Sequence, residues 1–257
     1  MPPERLNDFD PAHMRNLFEY YSGSVLKSVS ALSGATEPAR GNVVLDFIRT
    51  EAYKAALLAY GLDEPPEVIR EFLARSLSAC RDMFALDGTP SRNTPVALME
   101  GVHTALVLDR LDDARQLAQT RQYPLGKYDE HKFVADEAVM GYIVALLASV
   151  RGSTPEARQA AQATLEGAAR RKEGFVRQFR AQTEALLGVI EQGAGPFRDA
   201  LGRVVELHAA EARRGRLREA PEGLMCVSGL ALARLGTGAG LVVDVESPYL
   251  PLSLLAS

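Results

Sequence analysis

The chain has 257 residues, 47% of them apolar and 24% charged, which is enough to bury a sizeable core. Its formal net charge of −4 argues against a nucleic-acid binder and suits a basic protein partner. Two cysteines do not make a disulfide framework, and a chain rich in Ala, Leu and Arg with no Trp favours helix almost throughout.

Asp10-Pro11 reads as a cap followed by an N1 proline, opening a helix whose stripe is Met14, Phe18, Tyr21, Val25, Val29 and Leu32. A loop over 34–41 leads to a second helix from about Asn42 to Tyr60, stopped by Gly61. Pro65-Pro66 opens a third, carrying Ile69, Phe72, Leu73, Leu77, Cys80 and Phe84. After the loop 86–93, Thr94-Pro95 caps a fourth that ends near Leu108, and Leu111 to Ala118 starts a short fifth. Beyond a loop at 123–129, a long apolar helix runs from about His131 to Val150 and reads as central. Gly152 to Glu156 is a stop-and-restart signal before an Ala-rich seventh helix that ends near Lys172. An eighth helix carries Phe175, Phe179, Leu186, Leu187 and Ile190.

The segment from Gly195 onwards holds two further amphipathic helices. Pro196 fits N1 of the first, and Phe197, Leu201, Val204 and His208 share one face. Pro221 is expected to open the second, with Leu224, Val227, Ala231 and Leu235 as its stripe and Gly236 as its stop. Leu241 to Val245 is β-branched and too short for a helix, and Glu246 to Pro251 is an extended segment pinned by proline. The expected fold is therefore all-α: one domain over 1–257, an irregular stack of antiparallel helix pairs, with the tail 237–257 packing back on the helices.

Three pieces of this C-terminal segment carry a family resemblance. They are Glu206-Leu207-His208, the small-residue helix ending in Ala231-Leu232-Ala233-Arg234-Leu235, and Val245-Glu246-Ser247-Pro248-Tyr249-Leu250-Pro251. In that order and spacing they resemble the immunity protein 49 family, strongest over the last quarter of the chain and weaker over 97–150. The resemblance implies a bacterial immunity protein, encoded beside a polymorphic toxin, that binds and occludes that toxin without chemistry of its own. Many such toxins are nucleases, and a basic nuclease would suit a mildly acidic partner. The family supplies no map of the interface.

Charge clustering alone picks out Asp109, Asp112, Asp113, Asp129, Glu130, Asp136 and Glu137 as candidate toxin contacts. His208, on an apolar stripe, and Tyr249 with Pro251 in the tail are read as structural. Glu100-x-x-His103 is half of a carboxylate-bridged di-metal motif and the chain has no second copy, so no cofactor or metal is expected. His131 sits among acids but outside any His-Glu-x-x-His pattern. The basic runs at 170–180 and 213–218 lack interleaved aromatics, so no direct nucleic-acid contact is expected. Gly236 to Gly240 follows a helix rather than a strand, the wrong order for a phosphate loop. Cys80 and Cys226 read as buried thiols within helices.

The start of the chain has no apolar run of a signal peptide and no window is long enough to span a bilayer, so a cytoplasmic protein is expected. Two other functions remain compatible with the residues: a helical-repeat scaffold binding some other protein, and an all-α metal enzyme built on Glu100 and His103.

Overall fold

The computed structural model describes residues 10–32, 38–86, 94–120 and 136–256. Ten α-helices and no strands occur among them: α1 (Pro11–Leu32), α2 (Pro38–Gly61), α3 (Pro66–Ala85), α4 (Thr94–Val107), α5 (Leu111–Ala118), α6 (Glu137–Val150), α7 (Thr154–Ala168), α8 (Gly174–Ile190), α9 (Ala194–Arg214) and α10 (Val227–Gly238). The expected all-α stack is what forms. Proline recurs at helix starts because its missing N–H would be unpaired there anyway.

Successive helices pack as antiparallel neighbours. α1, α2 and α3 form one run, and α6, α7, α8 and α9 a second. α4 bridges them, touching α3, α6 and α10. α10 closes the interior against α4, α8 and α9. Seven of its twelve residues are buried, more than the single stripe expected of an amphipathic helix, because three helices close on it. α6, expected to be central, is also largely buried, from Ala138 to Val150. One continuous set of buried apolar residues runs from Val25 to Leu254.

Several boundaries differ from the sequence reading. Pro221 opens only a 3₁₀ turn, Pro221–Gly223, and α10 begins at Val227. The reason lies in the Cys226 N–H, which donates to the Tyr249 carbonyl at 2.8 Å and so marks the edge of the helix. Cys226 is consequently the residue capping α10 rather than a residue inside it. α9 starts at Ala194, which makes Pro196 its third residue; the whole first turn tolerates proline because its N–H groups have no intrahelical acceptor. α10 continues past Gly236 to Gly238, and Gly240, at φ +79°, turns the chain out of the helix. α6 is capped by Asp136, whose side chain accepts from the Ala138 N–H at 2.9 Å. The loop expected over 34–41 is shorter, because α2 already starts at Pro38, a residue the first turn of a helix tolerates. Residues 34–37 and 87–93, the loop expected at 123–129, and His131 lie outside the described residues.

After Gly240 the chain runs on without helix or strand to a 3₁₀ turn at Leu252–Leu255. Side chains of four helices hold this tail. Tyr60 of α2 donates its hydroxyl to the Pro248 carbonyl, and Arg70 of α3 donates to the Leu254 carbonyl at 2.7 Å. Arg213 of α9 donates to the Tyr249 hydroxyl at 3.3 Å, and Arg234 of α10 to the Leu255 carbonyl at 2.5 Å. The tail therefore packs back on the helices.

Candidate functional site

The three sequence pieces singled out in the C-terminal segment meet in space. His208 lies on the buried face of α9 because Phe197, Leu201 and Val204 set that face at helical spacing. Tyr249 is brought to it by the tail, and the two rings stand edge to face with centroids 5.5 Å apart. Both are almost fully enclosed, at 4% and 1% exposure. The Arg213 guanidinium lies over the Tyr249 ring, 5.8 Å from its centroid. The neighbouring Leu250 approaches Gly229 at the start of α10, where an added Cβ would stand 3.0 Å from its Cδ1. Pro251 follows directly and leads into the terminal 3₁₀ turn.

Cys226 completes this cluster, and the sequence reading had treated it only as a buried thiol. It is buried and unpaired to another cysteine. Burial alone pushes its thiol up, but the His208 charge and hydrogen bonds from His208, Gly229 and Ser228 outweigh that and bring it below the ordinary range. His208 responds in the opposite sense. Burial lowers it, while Cys226, by charge and hydrogen bond, and the Gly223 backbone raise it above the usual imidazole value. The sequence carried no local signal for it, because a helix opening at Pro221 would put Cys226 inside the helix rather than at its start.

Glu100 and His103 do not act together. Glu100 of α4 takes Arg49 of α2 at 2.5 Å, and Arg49 also holds Asp46 at 2.8 Å. His103 instead pairs with the Tyr142 hydroxyl of α6 at 2.8 Å inside the core, and burial lowers its pKa to about 3. No group of three or more His, Cys, Asp or Glu side chains that could hold a metal occurs among the described residues.

The acidic candidates fall into two groups. Asp109, at φ +60° after α4, lies 3.6 Å from Arg234. Asp112 pairs with Arg115 at 3.2 Å and Asp113 with Arg81 at 2.9 Å. These three sit near the carboxyl end of α6, where a cleft of about 330 Å³ is lined by Leu106, Asp109, Leu111, Val150, Arg234 and Leu235, among others. Asp136 pairs with Arg171 at 2.6 Å at the opposite end of α6, and Glu137 beside it is exposed. The 14 residues of α6 separate the groups by about 20 Å. Asp129 and Glu130 lie outside the described residues.

The basic run is likewise tied into local pairs. Arg180 and Arg203 share Glu184 at 3.0 and 2.7 Å across α8 and α9, and Arg171 holds Asp136 and Glu173. No helix among the described residues is long and apolar enough to cross a membrane.

The profile of immunity protein 49 matches residues 60–254 of the chain, most of its length. The chain belongs to the immunity protein 49 family. The match begins at Tyr60, whose hydroxyl holds the tail, and takes in His208, Cys226 and Tyr249. It thus reaches far upstream of the last quarter, where the resemblance is plainest by eye, and leaves out α1 and nearly all of α2. No curated protein and no solved structure matches the chain.

Proposed function

We propose that this member of the immunity protein 49 family binds a cognate toxin in the cytoplasm of the producing cell and blocks it by occlusion, without catalysis. The observation that carries the reading is the family match over 60–254. The protein acts as a single helical unit over 1–257, supported by the buried core that extends from α1 to the tail.

The toxin-facing edge is placed at α5 and the adjoining cleft. Leu111 is 40% exposed and the Asp112 side chain is 98% exposed, while Asp109 and Asp113 flank them. Apolar surface within a charged rim is the anatomy of a protein–protein contact. The pair that Asp112 makes with Arg115 is between exposed side chains and is weak, so a basic partner can exchange with it. An interface of ordinary size covers about 800 Å² of one partner and can reach from α5 to Asp136 and Glu137. Asp129 and Glu130 are retained as contacts on charge alone. The partner that fits best is a basic nuclease.

The test is co-expression with the toxin encoded beside it, scored by growth and by size-exclusion chromatography. Rescue together with a stable complex supports the reading. Unchanged toxicity and separate elution defeat it, and a stable complex with an unrelated protein would instead favour a scaffold.

A further inference from the structure

We propose that the tail segment 242–246 is an unpaired strand edge that takes up a basic edge strand of the toxin, added alongside α9. The inference rests on the occlusion reading and extends its contact surface. Gly238, at the end of α10, lines the cleft beside α5, and Val242 follows four residues on, within about 15 Å of chain.

The backbone of this segment has nothing to bind. Leu241 donates its N–H to the Gly236 carbonyl at 2.9 Å, and the Ser247 carbonyl accepts from Leu250 at 3.0 Å. Between them, no N–H or C=O of 242–246 takes part in a hydrogen bond among the described residues. Such groups are obligatory donors and acceptors, so water or a partner must answer them. The other marks of a strand are present. Val242, Asp244 and Glu246 are exposed, while Leu241, Val243 and Val245 are half-buried against the helices, the period of two of an extended backbone. Three of the five residues are valine, Gly240 and Pro248 bound the run, and five residues is an ordinary strand length.

There is room beside it. A cleft of about 480 Å³ is lined from α9 by Arg198, Gly202, Arg203 and Glu206, and from the tail by Asp244 and Val245. At Gly202 an added Cβ would meet nothing within 4 Å, so the α9 side of the cleft is open there. A neighbouring strand would lie about 4.8 Å from the segment.

Charge selects the occupant. Glu206 and Glu246 take part in no ion pair among the described residues. Asp244 has only Arg198 at 3.7 Å, with both side chains more than half exposed, a weak pair. Arg203 is already held by Glu184 at 2.7 Å. Three carboxylates therefore await cations, and Val242, 74% exposed, awaits an apolar neighbour. A second copy of the chain fits worse. Antiparallel pairing centred on Asp244 sets the two Asp244 side chains opposite each other, and parallel pairing in register adds the two Glu246 side chains. Like charges directly opposite destabilise a strand pair, and charge on a short edge is a usual guard against self-association. An incoming strand carrying Lys or Arg meets the same carboxylates favourably, with main-chain bonds supplying affinity.

The experiment is hydrogen–deuterium exchange of the full chain, alone and in complex with the toxin encoded beside it, resolved to single amides by mass spectrometry. Alone, the amides of 242–246 are expected to exchange as in unstructured peptide. In the complex either 242, 244 and 246 or 243 and 245 should slow by about tenfold or more, because neighbours in a strand point their N–H groups to opposite edges. Glu206→Lys and Asp244→Lys should each slow association by roughly 2–10-fold. A complex in which 242–246 exchange as in the free chain, or slow all alike, overturns the inference and leaves occlusion standing. If no complex forms, the occlusion reading fails and this inference with it. Unchanged association in both charge variants rules out the basic strand. Alternating protection already present in the chain alone, and lost on dilution, gives the edge to a second copy and overturns the proposal as well.

Discussion

The Tyr249 ring meets the His208 imidazole edge-on, at an interplanar angle of 67°, and joins the tail to α9. The buried ring is the larger part of what Tyr249 contributes, and its hydroxyl accepts from Arg213 at 3.3 Å. Tyr249→Phe should cost about 0.5–1.5 kcal/mol of stability, the net worth of a hydrogen bond. Tyr249→Ala should cost about 3–5 kcal/mol, the range for an aromatic deleted from a core. Urea unfolding of the two variants separates ring from hydroxyl. Equal losses would show that the hydroxyl, not the packing, holds the tail.

His103 makes stability depend on acid. Its pKa falls from 6.5 to about 3 in the folded chain because burial disfavours the imidazolium. The unfolded chain takes up the proton first as pH falls below 6.5, so this contribution is complete above 6.5 and is lost as pH drops toward 3. The loss is about 1.4 kcal/mol per pH unit, or about 2 kcal/mol at pH 5. His103→Gln should flatten that limb of the curve, measured by urea unfolding at pH 7 and pH 5. An unchanged slope would mean that other groups set the acid response.

Two glycines enclose the Phe197 ring and backbone. A Cβ at Gly188 of α8 would lie 2.8 Å from the Phe197 Cα, and one at Gly236 of α10 would collide with the end of the ring. Gly236→Ala is therefore expected to destabilise by about 1–3 kcal/mol despite alanine's better helix propensity. The cause is steric, so Phe197→Leu in the same chain should recover part of the loss, a coupling visible in a double-mutant cycle. Simple additivity of the two losses would exclude the steric account.

The helices were legible because helical spacing and proline or glycine boundaries are local properties. Asp10 caps α1, as its side chain accepting from the His13 N–H shows, and Gly152 breaks α6 from α7 where its turn residues indicated. What a window of sequence does not contain is the acceptor that ends a helix from afar. Pro221 looked like a helix start, yet the Cys226 N–H turns to Tyr249, 23 positions along the chain. His208 was legible as a core residue, but its partner Cys226 was not, because the tail and the 3₁₀ turn bring them together only in three dimensions. Glu100 and His103 shared a helical face in sequence, and tertiary packing gave one to Arg49 and the other to Tyr142.

The acidic edge can be tested without disturbing the fold. Asp112 and Glu137 are exposed members of the two acidic groups, one at each end of α6. Asp113 and Asp136 are poorer probes, because Arg81 would lose its ion pair and α6 its side-chain cap. Asp112→Lys and Glu137→Lys should each leave stability within about 0.5 kcal/mol. If a basic toxin docks across this edge, each reversal slows association by roughly 2–10-fold and lessens its salt dependence, since rim charges act chiefly on encounter. Stopped-flow or surface-plasmon measurements at two salt concentrations read both effects. A drop confined to Asp112→Lys would place the contact at α5 and the cleft. Unchanged association in both variants would remove the acidic edge from the interface while leaving the occlusion mechanism to be met by another face.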